Sequence, residues 1–113
     1  MNPLDYSLCD QTVTLYRMDQ GKLRRRVVTN SYFQPRQTQK RDLYGKSRHK
    51  EFLLIIPGQM DLRFGDRVVA GMGPEEVQWE TFLPGFTDGV YEVDFVQPCF
   101  WEGQLCHTQA GCR

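Results

Sequence analysis

Long apolar runs are missing from this sequence. The longest, residues 52–56, is bounded by Glu51 and Pro57, whereas a membrane-spanning helix needs about 20 apolar residues. No stretch sustains a helical period either, so helical content should be low. The N-terminal part has no apolar segment of the kind found in secretory signal peptides. We therefore expect a protein that is made in a cytosol and does not span a membrane.

Motifs for catalysis and metal binding are also missing. The two histidines are far apart, and no G-x-S-x-G, H-E-x-x-H, G-x-x-x-x-G-K-[ST] or G-x-G-x-x-G motif occurs. Cys99, Cys106, His107 and Cys112 lack the C-x2-4-C knuckle of structural zinc sites. A zinc-stabilised module built on these four residues is thus the weakest hypothesis. We expect neither an enzyme nor a cofactor.

The four cysteines are expected to be free thiols, because a cytosol is reducing. Cys99 and Cys106 lie in strand-like segments and should behave as small apolar residues, whereas Cys112 should be an exposed terminal thiol. Cys106 and His107 are adjacent and would point to opposite faces of a strand. This geometry excludes Cys106 as a catalytic nucleophile activated by His107 as its general base.

The composition favours a β-rich core. The 113 residues fit one domain, 1–113, and 40% hydrophobic residues with 12% aromatics exclude wholesale disorder. Segments rich in Val, Phe, Tyr and Thr alternate with Gly and Pro, as in an all-β domain. We predict a small β-barrel or sandwich of about seven to nine short strands, because an open sheet of that size would leave unpaired edges.

The individual strands follow from alternation and turn residues. Residues 12–17 and 22–29 should form a hairpin, and 31–34 a short third strand. The apolar segment 52–56 is predicted as a central strand covered on both faces. Further strands are expected at 60–66, 67–70, 77–82 and 90–96, followed by a closing hairpin that turns at 102–103. Within 90–96, Tyr91, Val93 and Phe95 should face the core.

Charge is segregated along a chain whose net charge is zero. Residues 17–50 hold eleven Lys and Arg against Asp19 and Asp42, about +9, whereas residues 51–113 hold ten Asp and Glu against three Arg, about −7. Such a chain can bind copies of itself or meet a polyanion with one surface.

The charged residues define three candidate interaction surfaces. Arg24, Arg25 and Arg26 form a candidate basic strand face that can bind phosphates. Residues 36–50 are predicted to form a long mobile loop, since no apolar period runs through them. The candidate interaction or DNA-channel residues of this loop are Arg36, Lys40, Arg41, Lys46, Arg48 and Lys50. The candidate acidic subunit-contact face comprises Glu75, Glu76, Glu80, Glu92 and Asp94.

Several segments, spread over most of the chain, resemble one family. They are LCDQTVTLYR at 8–17, the basic segment leading to SYF at 31–33, FLLIIP at 52–57, GDRV at 65–68, residues 91–101 and GQLCH at 103–107. In these segments the chain resembles the small head-completion proteins (head-tail connector, stopper-like) and minor capsid proteins of tailed phages and prophages, especially those of Gram-positive hosts.

The resemblance implies a virion structural protein. It implies a small β-barrel that is made in the bacterial host cytoplasm and assembles as a ring of twelve or six copies below the portal, helping to close the DNA channel. The implied partners are further copies of the chain, the portal or adaptor protein, tail-proximal proteins and packaged DNA, while the isolated chain could be a monomer. A long loop between early strands reaches toward the channel in such stoppers, and residues 36–50 lie at the corresponding position. The resemblance implies no catalytic residue.

An OB-like single-stranded nucleic-acid-binding barrel is the alternative. In it, the basic strand face and the basic loop would contact phosphates, while Tyr32, Phe33 or Tyr44 would stack on bases. Tight binding of the isolated chain to single-stranded DNA, weakening steeply with salt, would favour this alternative.

Overall fold

The protein is described by a computed structural model that covers residues 6–36 and 51–113, with Arg36 described in its backbone only. These residues form six strands and no helix: β1 (Gln11–Asp19), β2 (Lys22–Arg36), β3 (Glu51–Pro57), β4 (Arg67–Ala70), β5 (Val90–Trp101) and β6 (Gln104–Cys112). The strands close into an antiparallel barrel in the order β1-β2-β3-β6-β5-β4. The all-β barrel prediction is confirmed, with six strands in the described residues instead of seven to nine.

Two tight hairpins frame the barrel, one joining β1 to β2 and the other β5 to β6. Gln20 and Gly21 have φ values of 51° and 77°, and Glu102 and Gly103 have values of 50° and 79°. Two successive residues with positive φ are typical of the type I′ turn, whose twist matches that of the flanking strands. Both predicted hairpins are confirmed.

The predicted third strand is the second half of β2. A register shift between Gln11 and Val13 lets β2 separate from β1, and from Tyr32 onward β2 pairs with β3. A bulge of this kind bends a strand and increases its twist. One long strand therefore replaces the two that were predicted.

Two other predicted strands, 60–66 and 77–82, are turns and irregular structure. Residues 60–66 cross one end of the barrel, where Leu62 joins the core. Residues 77–82 lie within a longer segment, 71–89, which we call the strap. The strap passes over the outer face of the barrel and cannot extend the sheet at β4, because β4 already pairs with β1 on one edge and β5 on the other.

The barrel interior is filled by apolar side chains, as in other small barrels. Val13 and Leu15 project inward from β1, and Leu54 and Ile56 from β3; each is at most 2% exposed. The remaining buried members of this core are Val28, Phe33, Leu62, Val68, Val93, Ala110 and Cys112. The prediction that residues 52–56 form a strand is confirmed by β3.

A second cluster lies outside the barrel, beneath the strap. Tyr16, Phe82 and Val90 form its buried centre, and the rings of Tyr16 and Phe82 meet edge to face at 4.8 Å. The hydroxyl of Tyr16 donates a hydrogen bond to the carbonyl of Pro74 at 2.6 Å. Outward-facing side chains of this part of the barrel are therefore covered by the chain itself.

The orientation of Phe95 differs from the prediction. Val93 is fully buried and Tyr91 packs against the core, as predicted, but Phe95 is 42% exposed. The register with β6 shifts between Val93 and Phe95, so that Asp94 is an extra residue and the alternation reverses. The ring of Phe95 lies over Gly111, where a Cβ atom would collide with it.

Cys112 is buried, contrary to the prediction of an exposed thiol. β6 extends to this residue, which pairs with Phe52 of β3 and Val93 of β5 and is 1% exposed. Burial raises the pKa of the Cys112 thiol to about 12, and Asp94 adds to the shift. Cys106 is also buried, as predicted, and all four cysteines are free.

Candidate assembly surfaces

The barrel has two distinct ends. Arg36 pairs with Glu51 at one, which we call the Arg36 end. The turns at 20–21 and 102–103 lie at the other, which we call the hairpin end. Arg26 and Arg36 are ten residues apart on β2, roughly 33 Å along the strand. The candidate basic strand face and the start of the predicted basic loop are therefore separated. The other five loop candidates lie outside the described residues.

The basic triplet does not form one surface. Arg25 lies beside Tyr16 and donates to the carbonyls of Gly73 and Pro74 at 2.7 and 3.1 Å. Arg26 lies on the opposite face of β2 and donates to the carbonyl of Asp61 at 2.7 Å. Burial lowers the pKa of Arg26, and the nearby Arg17 charge lowers it further.

Arg24 is the most accessible member of the triplet. Its side chain is 63% exposed and forms an ion pair with Asp19 at 3.0 Å. Since exposed ion pairs are weak, Arg24 remains available to an anionic partner. The strand alternation therefore leaves one of the three predicted arginines largely free.

An ion-pair cluster, which sequence reasoning missed, closes the hairpin end. Arg17 donates from Nε and Nη2 to the two carboxylate oxygens of Asp66, at 2.8 and 2.7 Å, and from Nη1 to Asp61 at 3.0 Å. Asp66 is 3% exposed and also accepts the backbone N–H of Arg63. The hydrogen bond to Asp66 raises the pKa of Arg17, and the bond from Arg17 lowers the pKa of Asp61. The Gly-Asp turn at 65–66 was the only sequence signal.

The candidate acidic residues divide into two groups. Glu75, Glu76 and Glu80 are exposed on the strap, whereas Glu92 and Asp94 lie on β5. One residue of each group lies near Arg67: the charge of Arg67 interacts with Glu80 of the strap and with Glu92 of β5. Asp94 instead pairs with Arg113 at 3.6 Å.

An apolar groove of about 290 Å³ lies on the outer face of β2, β3 and β6. The strands supply one wall, and the N-terminal residues 6–9 supply the other. We call it the outer groove; its lining residues are Tyr6, Leu8, Cys9, Tyr32, Leu53, Ile55 and His107. Leu8 is 68% exposed, so the N-terminal wall covers this face less completely than the strap covers the other.

His107 carries an unpaired polar atom beside this groove. The imidazole is 7% exposed, and its Nδ1 shares a hydrogen bond of 2.7 Å with the Tyr6 hydroxyl. The two rings meet edge to face at 5.5 Å. Nε2 is buried and has no hydrogen-bond partner among the described residues, which is an unfavourable state for a polar group.

Two aromatic side chains are exposed at the hairpin end. Phe100 and Trp101 are 62% and 51% exposed at the end of β5, next to the turn at 102–103. Other large apolar side chains lie exposed elsewhere on the surface: Phe64, Met72 and Phe86. Exposed apolar groups of this size mark interaction sites when they cluster. In the sequence, the signal for this exposed aromatic pair is its position directly before the Glu-Gly turn at 102–103.

Within residues 6–36 and 51–113, no group of three or more His, Cys, Asp or Glu could hold a metal ion. The same part of the chain contains no helix that is long and apolar enough to cross a bilayer. Comparison of the chain with protein-family models, curated proteins and solved structures gives no match.

Proposed function

We propose that this chain is a structural component of a phage or prophage head-tail connector, which assembles as a ring below the portal and helps close the DNA channel. The observation that carries the proposal is the exposed aromatic pair Phe100 and Trp101, at the end of a barrel whose interior is already filled. Chemistry inside the barrel would need a cavity, whereas assembly needs exposed contact groups.

The positions of the exposed aromatic side chains favour a subunit that contacts several neighbouring proteins. Phe64, Phe86 and the Phe100–Trp101 pair lie in three different segments of the chain and are at least 51% exposed. A ring subunit needs two different contact surfaces for its neighbours in the ring, and further surfaces for the layers above and below. In the proposed particle these layers are the portal or adaptor protein and the tail-proximal proteins.

The charges provide orientation for such contacts. Arg24 is exposed at the hairpin end, and three glutamates are exposed on the strap. Opposite charges on two surfaces of one chain favour head-to-tail contact between copies and disfavour contact between identical surfaces. In the proposed ring, the basic residues of 36–50 contact the packaged DNA.

The nucleic-acid-binding alternative has less support. Phe33, a proposed stacking residue, is 5% exposed and is itself stacked on Phe52 at 4.9 Å. It therefore cannot offer its face to a base. Arg25 and Arg26, proposed for phosphates, already donate to backbone carbonyls.

Deletion of the gene from the phage or prophage that encodes it tests the function. We expect heads that fail to join tails or that lose DNA, and rescue by the wild-type chain supplied in trans. Infectious particles at the normal yield would contradict the proposal. Titration of the isolated chain with single-stranded DNA at several salt concentrations tests the alternative, which requires tight binding that weakens steeply with salt.

A further inference from the structure

We infer that the outer groove receives Trp101 from the β5–β6 hairpin of a second copy of this chain. The inference rests on the proposed function and deepens it, because it names the contact between neighbouring subunits. The groove and the exposed indole are separate surfaces of one molecule. Trp101 pairs with Gln104 across the turn and is not among the residues that line its own groove.

Within the part of the chain that the structure describes, the two outer faces of the barrel are covered to different degrees. Beneath the strap, Tyr16 and Val90 are at most 4% exposed. On the groove face, Leu53 and Ile55 project outward from β3 and are half-buried, and the described residues around them leave an apolar groove. An aromatic side chain from outside the chain would bury apolar area on both sides of the contact.

The unpaired atom of His107 indicates the chemistry of the occupant. A buried polar group without a partner costs about 1–3 kcal/mol, and Nε2 is such a group. We include in the inference the tautomer in which Nδ1 donates its proton to the Tyr6 hydroxyl; Nε2 then holds a lone pair and needs a donor. Tryptophan supplies a large apolar ring and one N–H donor. The indole of Trp101 forms no hydrogen bond with the described residues of its own chain.

Entry of the indole requires the N-terminal wall to move. Nε2 is shielded from solvent, and His107 lines the groove together with Tyr6, Leu8 and Cys9. Leu8 is 68% exposed, whereas Tyr6 is hydrogen-bonded to His107. The proposed contact therefore includes a displacement of Leu8 that lets the indole reach the imidazole.

The size of the contact favours a ring over a pair. Aromatic side chains bury about 150–250 Å² each, so the indole and the groove surface that it covers give roughly 300–500 Å² in total. Stable pairs bury about 1,200 Å² or more. Because the indole and the groove differ, each copy can use both, and the contacts repeat head to tail until the ring closes. In a closed ring each copy is held by two contacts. Once the first contact has formed, the second binding surface is present at a high effective concentration.

Disulfide trapping tests the contact, because Cys9 lines the groove. The substitution Gln104→Cys places a thiol beside Trp101, because these cross-strand partners point to the same face of the hairpin, and it leaves the indole in place. It is made in a Cys99→Ala background, so that the partly exposed native thiol of β5 does not compete. Under mild oxidation of concentrated protein, we expect dimers and larger species that disappear on reduction and on Cys9→Ser.

Phe86→Cys in the same background is the matched control, since Phe86 is 77% exposed but lies on the strap. We expect at least tenfold less cross-linking to Cys9 from position 86 than from position 104. Equal yields at the two positions, or no coupling to Cys9 at position 104, would overturn the inference.

A mixing experiment tests the head-to-tail direction. Trp101→Ala removes the indole, and Leu8→Asp alters the exposed rim of the groove. We expect each variant alone to lose assembly in the particle. When both variants carry the Gln104→Cys and Cys99→Ala changes, oxidation of a mixture should trap dimers and nothing larger, because each mixed pair has one intact contact and cannot extend. Normal assembly by Trp101→Ala would overturn this inference and leave the proposed function standing. Complete particles without the chain would instead refute the proposed function.

Discussion

Arg17 binds both carboxylate oxygens of Asp66, 49 residues later in the sequence. The pair joins β1 to the turn before β4, and Asp66 also accepts the N–H of Arg63. Removal of Asp66 takes away the carboxylate that binds Nε and Nη2 of the largely buried Arg17, which then keeps, among the described residues, only its contacts with the exposed Asp61. We expect Asp66→Ala to lower the free energy of unfolding by about 3 kcal/mol, measured by urea denaturation.

Asp61 provides the matched control for this prediction, because its carboxylate also binds Arg17 but is 59% exposed. Asp61→Ala should cost clearly less than Asp66→Ala, since water replaces the exposed partner. Equal losses for the two variants would show that the Arg17–Asp66 pair has no special role at the hairpin end.

Gly73 and Tyr16 form a close contact beneath the strap. A Cβ atom at Gly73 would collide with the hydroxyl of Tyr16, which is fully buried. We expect Gly73→Ala to destabilise the fold by about 1–3 kcal/mol, as is typical of overpacking. In the Tyr16→Phe background the same substitution should cost less, because the colliding oxygen is gone. Strict additivity of the two substitutions in a double-mutant cycle would contradict this packing.

Cys112 should make stability depend on pH in the alkaline range. Its folded-state pKa is raised from an ordinary value of 9.0 to about 12, so the folded state holds the thiol proton more tightly. The resulting stabilisation is complete below about pH 9 and is lost progressively between about pH 9 and 12. Between pH 8 and 10 we expect the free energy of unfolding to fall by about 1 kcal/mol more in wild type than in Cys112→Ala.

The Cys112→Ala variant corrects for the pH dependence contributed by all other groups, because the two proteins share them. Parallel stability curves for the two proteins would show that the Cys112 thiolate is tolerated in the folded barrel. A thiol reagent at pH 8 offers an independent check: Cys112 should react only on unfolding, while the partly exposed Cys99 reacts in the folded protein.

The hairpins and β3 were predictable because local signals determine them. Turn residues such as Gly21 and Gly103 and the apolar run of β3 leave few alternatives. The direction of Phe95 was not predictable, since the extra residue Asp94 appears only when β5 is paired with β6. Residues 60–66 and 77–82 alternate like strands, but no edge of β4 remains for the strap to extend.

The candidate site was predictable in residue type but not in arrangement. Strand alternation separates Arg25 from Arg24 and Arg26, and long-range contacts with Gly73 and Asp61 then engage two of these side chains. The outer groove joins residues 6–9 to Tyr32, Leu53 and His107. No local pattern brings such distant segments together, so the groove required the fold.

The proposed role as a component of a head-tail connector is tested most directly by locating the chain in purified particles. Particles produced from a phage or prophage that carries an epitope-tagged copy of this gene can be imaged by electron microscopy with a tag-specific label. We expect label at the junction of head and tail, and a ring at that position in averaged images. Particles that are complete and infectious but contain no copy of the chain would contradict the proposed function as a connector component.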